Sequence, residues 1–241
     1  MPKEVTFVIQ RFDPDRDKAP YFKTYSVPWE RKDLTVLDGL YYILENVDGS
    51  LAFRASCRGA ICGSCAMHIN GKHRLACNTL VSRLGSDKVT IRPLSHLKIE
   101  KDLCVEMKPF WEKFEFVKPY LMPGSPPPPS GERVQTQDQR EELNIVIDCI
   151  QCGCCFSACP VTLTSKEYLG PAALLKLDRF VRDSRDGAGQ ERLNLADGLY
   201  GAFRCHNVFN CQCCPKDLDP PRSIAHIKRR IMGIKLLGRG K

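Results

Sequence analysis

The chain has 241 residues, 43% of them hydrophobic, and a formal charge of +8, a length that suits one large domain or two ordinary ones. No run approaches the ~18 apolar residues of a membrane span, and the opening Met1-Pro2-Lys3-Glu4-Val5 is neither an apolar signal core nor an Arg/Ser-rich transit segment. A cytosolic or mature matrix-side protein is therefore expected, and fourteen cysteines in such a protein point to metal or redox chemistry rather than disulfides.

In chain order, Val5, Phe7 and Ile9 alternate with Thr6 and Gln10 and predict a strand; residues 24–27 predict a second. The period then changes. Val36, Leu37, Leu40, Tyr41, Leu44 and Val47 form one helical face, with Asp33 as candidate N-cap. Residues 66–69 read as a strand entering a turn at Asn70-Gly71, and residues 88–92 as a short strand stopped by Pro93. His68, His73 and His96 fall on strand or loop surface and need no function. Residues 120–131 form a Pro-rich connector that can be neither helix nor central strand. Beyond it the pattern is helical. Residues 143–149 suit a short helix, Pro171 sits in the first turn of a helix running to about Arg182, and Ser223 opens a last helix. That last helix carries a stripe of Ile224, Ile227, Ile231 and Ile234, read as a core or partner face, and His226, read as structural.

The cysteines fall in three groups. The first is Cys57-x4-Cys62-x2-Cys65, then Cys77, which matches the plant-type spacing that binds a 2Fe–2S cluster. Two irons bridged by two sulfides each need two more soft ligands, so four thiolates must converge. Gly59, Ala60, Gly63 and Ser64 between the ligands let the backbone wrap the cluster and aim N–H groups at sulfur, while Arg54 and Arg58 add positive potential. A structural zinc site is the rival, but zinc ligands usually come as two paired knuckles.

The second group, residues 149–160, contains the C-x2-C-x2-C-x3-C-P run of bacterial ferredoxins, in which the fourth cysteine reaches a second cluster. The third, residues 205–215, is a degraded copy with Val208 in place of the middle cysteine. Valine cannot ligate iron. Cys205 and Cys211, with Cys159 crossing over, therefore offer three thiolates, which suit a 3Fe–4S cluster; a four-iron cluster with water on its open iron is the rival. Cys149, Cys152 and Cys155, with a crossing cysteine before Pro215, offer four and suit a 4Fe–4S cluster. Cys104, read as a small buried apolar residue, Cys154 and Cys213 are left over. Each bound cluster carries roughly −2, so three bring the chain to about +2, and the basic balance argues little for nucleic acid.

Together these motifs resemble the iron–sulfur subunit family of succinate dehydrogenases and the related fumarate reductases. The resemblance extends through Ser50-Leu51-Ala52-Phe53-Arg54, Leu75-Ala76-Cys77, Gly170-Pro171-Ala172-Ala173, Asp183-Ser184-Arg185-Asp186 and Phe203-Arg204-Cys205-His206. It implies an α+β chain. A plant-type ferredoxin (β-grasp) domain over 1–105 is followed by an all-α bacterial-ferredoxin-like domain over 106–241 that includes connector 123–131. It implies a flavoprotein partner with FAD, membrane-anchor subunits that can carry haem b, and quinone. Electrons pass singly from flavin through 2Fe–2S, 4Fe–4S and 3Fe–4S to quinone, as part of the tricarboxylic acid cycle, or the same wiring serves a quinol:fumarate reductase. The chain itself has no catalytic residue and binds no succinate. The expected place is peripheral, on the cytoplasmic face of the inner membrane, or the matrix face if mitochondrial.

The family position before Pro215 favours Cys214 as the fourth 4Fe–4S ligand, although the loop from Cys211 is one residue short and Cys213 remains the alternative. Pro160, His206 and Val208 match positions near quinone, and His206 is as well read as a donor to cluster sulfur. The Trp that several family members carry after Cys-Pro is lacking, since the tryptophans are Trp29 and Trp111. The quinone pocket is thus built differently, as for menaquinone, or lies more in the anchor. Glycolate- or heterodisulfide-type subunits share the helical half but not residues 57–77. A zinc or nucleic-acid module would want readout motifs that the chain lacks.

Overall fold

Strand β1 (Glu4–Arg11) buries Val5, Phe7 and Ile9 completely on one face, as its alternation predicts. The computed structural model describes residues 4–29 and 33–237. They form two units, one of residues up to Met107 together with Ile150–Ala158, the other of Lys108–Cys149 together with residues from Cys159 onward. In the first unit, β1 pairs antiparallel with β2 (Tyr21–Pro28). Helix α1 is Val36–Asn46, and β3 (Ala66–Ile69) turns into β4 (Lys72–Leu75). Strand β5 (Lys88–Arg92) runs parallel to β1 and antiparallel to β3, giving the order β2-β1-β5-β3-β4. The turn at Asn70-Gly71 has φ of 44° and 81°, the left-handed pair that a tight hairpin demands. A Cβ on Gly39 of α1 would stand 2.3 Å from the Phe7 ring, so helix and sheet meet where only glycine fits.

Two details of α1 differ from the sequence reading. Its N-cap is Thr35, not Asp33: Thr35 Oγ1 accepts from Asp38 N–H and the Asp38 carboxylate accepts from Thr35 N–H, a reciprocal capping box. Its core face includes Ile43, while Val47 is exposed at the C-cap. His68, His73 and His96 are half-buried rather than surface residues. The first unit closes with hairpin β6 (Ile99–Lys101) and β7 (Cys104–Val105), on which Cys104 is half-buried. Buried Arg11 joins this hairpin to the segment leading into the first cysteine group. It donates to Asp102 at 2.9 Å, Asp48 at 2.7 Å and Ser50 at 2.9 Å, and Asp102 accepts the Ala52 N–H at 2.9 Å. A buried ion pair adds little net stability, but breaking one by removing a partner costs ~3–5 kcal/mol.

In the second unit every named element among the described residues is helical. The helices are α2 (Lys108–Phe116), α3 (Gln137–Asn144), α5 (Pro160–Thr164), α6 (Gly170–Val181), α7 (Gly189–Asp197) and α8 (Pro220–Leu237). The short α4 (Cys154–Ala158) belongs to the first unit. The helix expected over 143–149 lies earlier, because Thr136 and Gln139 form a capping box that starts it at Gln137. Helix α8 begins at Pro220 rather than Ser223; Asp219 accepts from Arg222 N–H and two prolines fill its first turn. Its Ile224, Ile227 and Ile231 are buried in a core with Leu169, Leu174, Leu177 and Tyr168, so the stripe faces the core. His226 Nδ1 lies 2.5 Å from the fully buried Asp178, which also accepts from Arg182 at 2.9 Å. Arg192, fully buried, donates to the carbonyls of Val117, Lys118 and Tyr120 and to Asp186 at 2.7–3.1 Å.

Candidate iron–sulfur centres

The first group forms a wrapped loop. Cys57 Sγ accepts backbone N–H from Cys62 at 3.2 Å, and from Gly59 and Ile61 at 3.4 Å. Cys62 Sγ accepts from Cys57 N–H, and Cys65 Sγ from Cys77 N–H, each at 3.5 Å. The turn that aims these donors needs positive φ at Arg58 (54°), Ala60 (57°) and Gly63 (73°), the concave geometry of an anion nest. Cys57 and Cys62 are exposed and Cys65 is buried. Ser64 and the backbone N–H groups bring the Cys62 thiol down to about 6, while burial pushes Cys65 up to about 12. The arginines are held aside: Arg54 binds Val105 O at 2.6 Å and Glu100 at 2.5 Å, and Arg58 stacks over Tyr41 at 4.3 Å.

Gly63 also meets the second group. A Cβ there would lie 2.9 Å from both Cys152 Cβ and Ile150 O. Gln151 and Gly153 have φ of 53° and 78°, so this run curls as the first loop does. Cys154, outside the spacing's ligand set, is fully buried, and its interaction with the Cys152 thiol lowers that thiol's pKa. Of the four thiols assigned to 4Fe–4S, Cys152 and Cys155 belong to the first unit, and Cys149 and Cys214 to the second. Lys176, on α6, interacts electrostatically with Cys149.

The third set lies wholly in the second unit. Cys159 precedes α5, Cys205 follows the short turn Ala202–Arg204, and Cys211 stands six residues after Cys205 and four before Pro215.

 Cys159 and Cys211 are buried and Cys205 is half-buried. Burial first, and then the charge of Cys205, raises the Cys159 thiol; burial and the charges of Cys159 and Cys205 push Cys211 up to about 12. The three thiols are therefore near enough to act on one another electrostatically, and Cys213 acts on Cys211 as well. Lys228 Nζ donates to Cys205 O at 3.1 Å. The quinone-proximal candidates differ: Pro160 is half-buried at the start of α5, while His206 and Val208 are exposed.

Both thiol sets fit iron–sulfur clusters. The first offers soft ligands under converging N–H donors, and the third offers three thiols beside the buried Tyr168 hydroxyl, which has no hydrogen-bond partner among the described residues. No three His, Cys, Asp or Glu side chains among the described residues close to the spacing of a single metal ion; a polynuclear cluster holds its thiolates farther apart than one ion does. Sequence reasoning missed Tyr168 and Lys176, because neither belongs to a cysteine motif. Tyr168 had one signal, a tyrosine just before the Gly170-Pro171 helix start.

Comparison with known proteins agrees. The family described as "2Fe-2S iron-sulfur cluster binding domain" matches residues 6–112, and "4Fe-4S dicluster domain" matches residues 145–218. The mitochondrial succinate dehydrogenase (ubiquinone) iron-sulfur subunit 1 of Oryza sativa is 42% identical over 228 residues, covering 93% of this chain and 81% of the relative. The corresponding mitochondrial subunit of Candida glabrata is 39% identical over 234 residues, covering 96% and 92%. Among solved structures, a chain of the Mycobacterium smegmatis Sdh1 complex in the apo form superposes with a TM-score of 0.88 at 25% identity, covering 98% of both chains. The sheet-bearing and helical parts thus form an α+β ferredoxin-like arrangement with one 2Fe–2S, one 4Fe–4S and one 3Fe–4S cluster, and FAD and haem are left to partner subunits. The relatives are succinate dehydrogenases, so the fumarate-reductase alternative is not favoured. The chain belongs to the iron–sulfur subunit family of succinate dehydrogenase, and its work in that oxidoreductase is to transfer electrons.

Proposed function

We propose that Cys57, Cys62, Cys65 and Cys77 hold the 2Fe–2S cluster, that Cys149, Cys152, Cys155 and Cys214 hold 4Fe–4S, and that Cys159, Cys205 and Cys211 hold 3Fe–4S. Bound there, the clusters take up and release single electrons, which divides a two-electron flavin oxidation into one-electron steps toward quinone. The observation that carries this reading is that Cys159, Cys205 and Cys211, two buried and one half-buried, act on one another electrostatically. Gly63 supports the order of the first two clusters, since it brings the first loop against the backbone of Cys152. The domain division is 1–105 and 106–241, with a β-grasp first domain and connector 123–131 in the second.

The partners are an FAD flavoprotein and membrane-anchor subunits. No helix among the described residues is long and apolar enough to cross a membrane, which suits a peripheral subunit held by an anchor. The second unit exposes Leu163, Leu199, Tyr200, Phe203, Val208 and Phe209, apolar side chains suited to such a partner. Pro160, His206 and Val208 lie toward quinone, with menaquinone as its type, on the cytoplasmic or matrix face. The assignments are tested by low-temperature EPR and iron analysis of the intact complex with Cys214→Ser and Cys213→Ser. Cys214→Ser is expected to impair only the 4Fe–4S signal and Cys213→Ser to leave all three. The reverse result moves the fourth ligand to Cys213.

A further inference from the structure

Tyr168 lies in the apolar core of the second unit, fully buried among Leu169, Leu174, Leu177 and Ile227. Its hydroxyl completes no hydrogen bond among the described residues. Leaving a buried hydroxyl unsatisfied is costly, and a buried tyrosine normally has a partner for its O–H. The groups acting on it are the thiols of Cys205, Cys159 and Cys211. Cys159 shares this core with Tyr168, and Cys205 packs against it. A phenol, with an ordinary pKa of about 10, is protonated at neutral pH, so the hydroxyl is a donor.

We propose that Tyr168 donates a hydrogen bond to the sulfur shell of the 3Fe–4S cluster, a thiolate or sulfide sulfur, and so favours its reduction. This rests on Cys159, Cys205 and Cys211 being the cluster's ligands. Reduction adds one electron and one negative charge, and a donor to sulfur binds the more negative state more tightly. The O–H bond stays intact and no proton leaves the phenol.

The test is a potentiometric EPR titration of the three-iron signal in the intact complex. Tyr168→Phe keeps the ring and removes the donor. The signal should persist, with one-electron reduction about tenfold less favourable, a lowering of about 59 mV. Site-specific 3-fluorotyrosine at position 168, a more acidic donor on a nearly identical ring, should shift the potential upward. A Phe variant with an unchanged midpoint overturns the proposal and leaves the residue a packing role. Where the Phe variant loses the cluster, the fluorotyrosine protein decides: an unchanged midpoint overturns the proposal. Failure of the ligand assignment reads differently, because Cys205→Ser would then retain the three-iron signal.

Discussion

Around Cys57 the sulfur meets three backbone N–H groups and open solvent; around Cys159 and Cys211 it meets a buried core and one phenol. Donors and water stabilise added negative charge, whereas burial opposes it. Desolvation alone would make the buried site the harder one to reduce, although electrons are to arrive there last. Two features of the chain work against that penalty. On the proposed ligand set, Val208 removes one thiolate and its charge, and Tyr168 supplies a donor. The last cluster before quinone can therefore be buried if its ligand count and one hydrogen bond offset the loss of water.

The strongest way to break this contrast is to restore the missing ligand. Val208→Cys is expected to convert the three-iron site toward four irons, seen as loss of the oxidised three-iron EPR signal and a gain of iron per chain. An unchanged cluster type would show that Val208 does not set the ligand count. Next in size is Gly63→Ala, which forces a Cβ to within 2.9 Å of Ile150 O at a φ of 73°. Strain of this kind costs about 1–3 kcal/mol, so the thermal midpoint should fall by several degrees; an unshifted midpoint would mean that the approach relaxes freely. The smallest effect concerns the sheet beneath the first loop. Burial first, and then the charges of His68 and His96, lower His73 to about 4. The unfolded chain therefore binds this proton more readily than the folded one, so stability is fully present above about pH 6.5 and falls as pH drops toward 4. Partial exposure limits the loss to about 1–2 kcal/mol. His73→Gln should flatten that part of the unfolding-versus-pH curve, and an equally steep curve would assign the dependence to other groups.

Much of this was legible in sequence because its signals are local. The alternation of Val5, Phe7 and Ile9, the Asn70-Gly71 turn and the Pro171 start all depend on neighbours in the chain. The helix starts were misjudged where the rule was equally local but a better cap stood nearby, as Thr35 with Asp38 and Thr136 with Gln139 do. The cysteine spacings offered a grouping of the thiols. They said nothing of Tyr168, whose proposed role depends on thiols up to 43 positions away, at Cys211. The N–H donors to Cys57 were foreseeable from small residues in the loop, whereas the diversion of Arg54 to Glu100 and of Arg58 to Tyr41 required tertiary partners.

The guanidinium of Arg192 has a consequence for how the connector meets proteases. It holds the carbonyls of Val117, Lys118 and Tyr120 from inside the fold, where a protease's strand-like grip on the same backbone cannot form. Four residues further on, Gly124 and Ser125 are exposed, and Val134 is 83% exposed. Limited digestion should therefore nick the chain beyond Met122 and spare the segment before it, with one buried side chain setting the border.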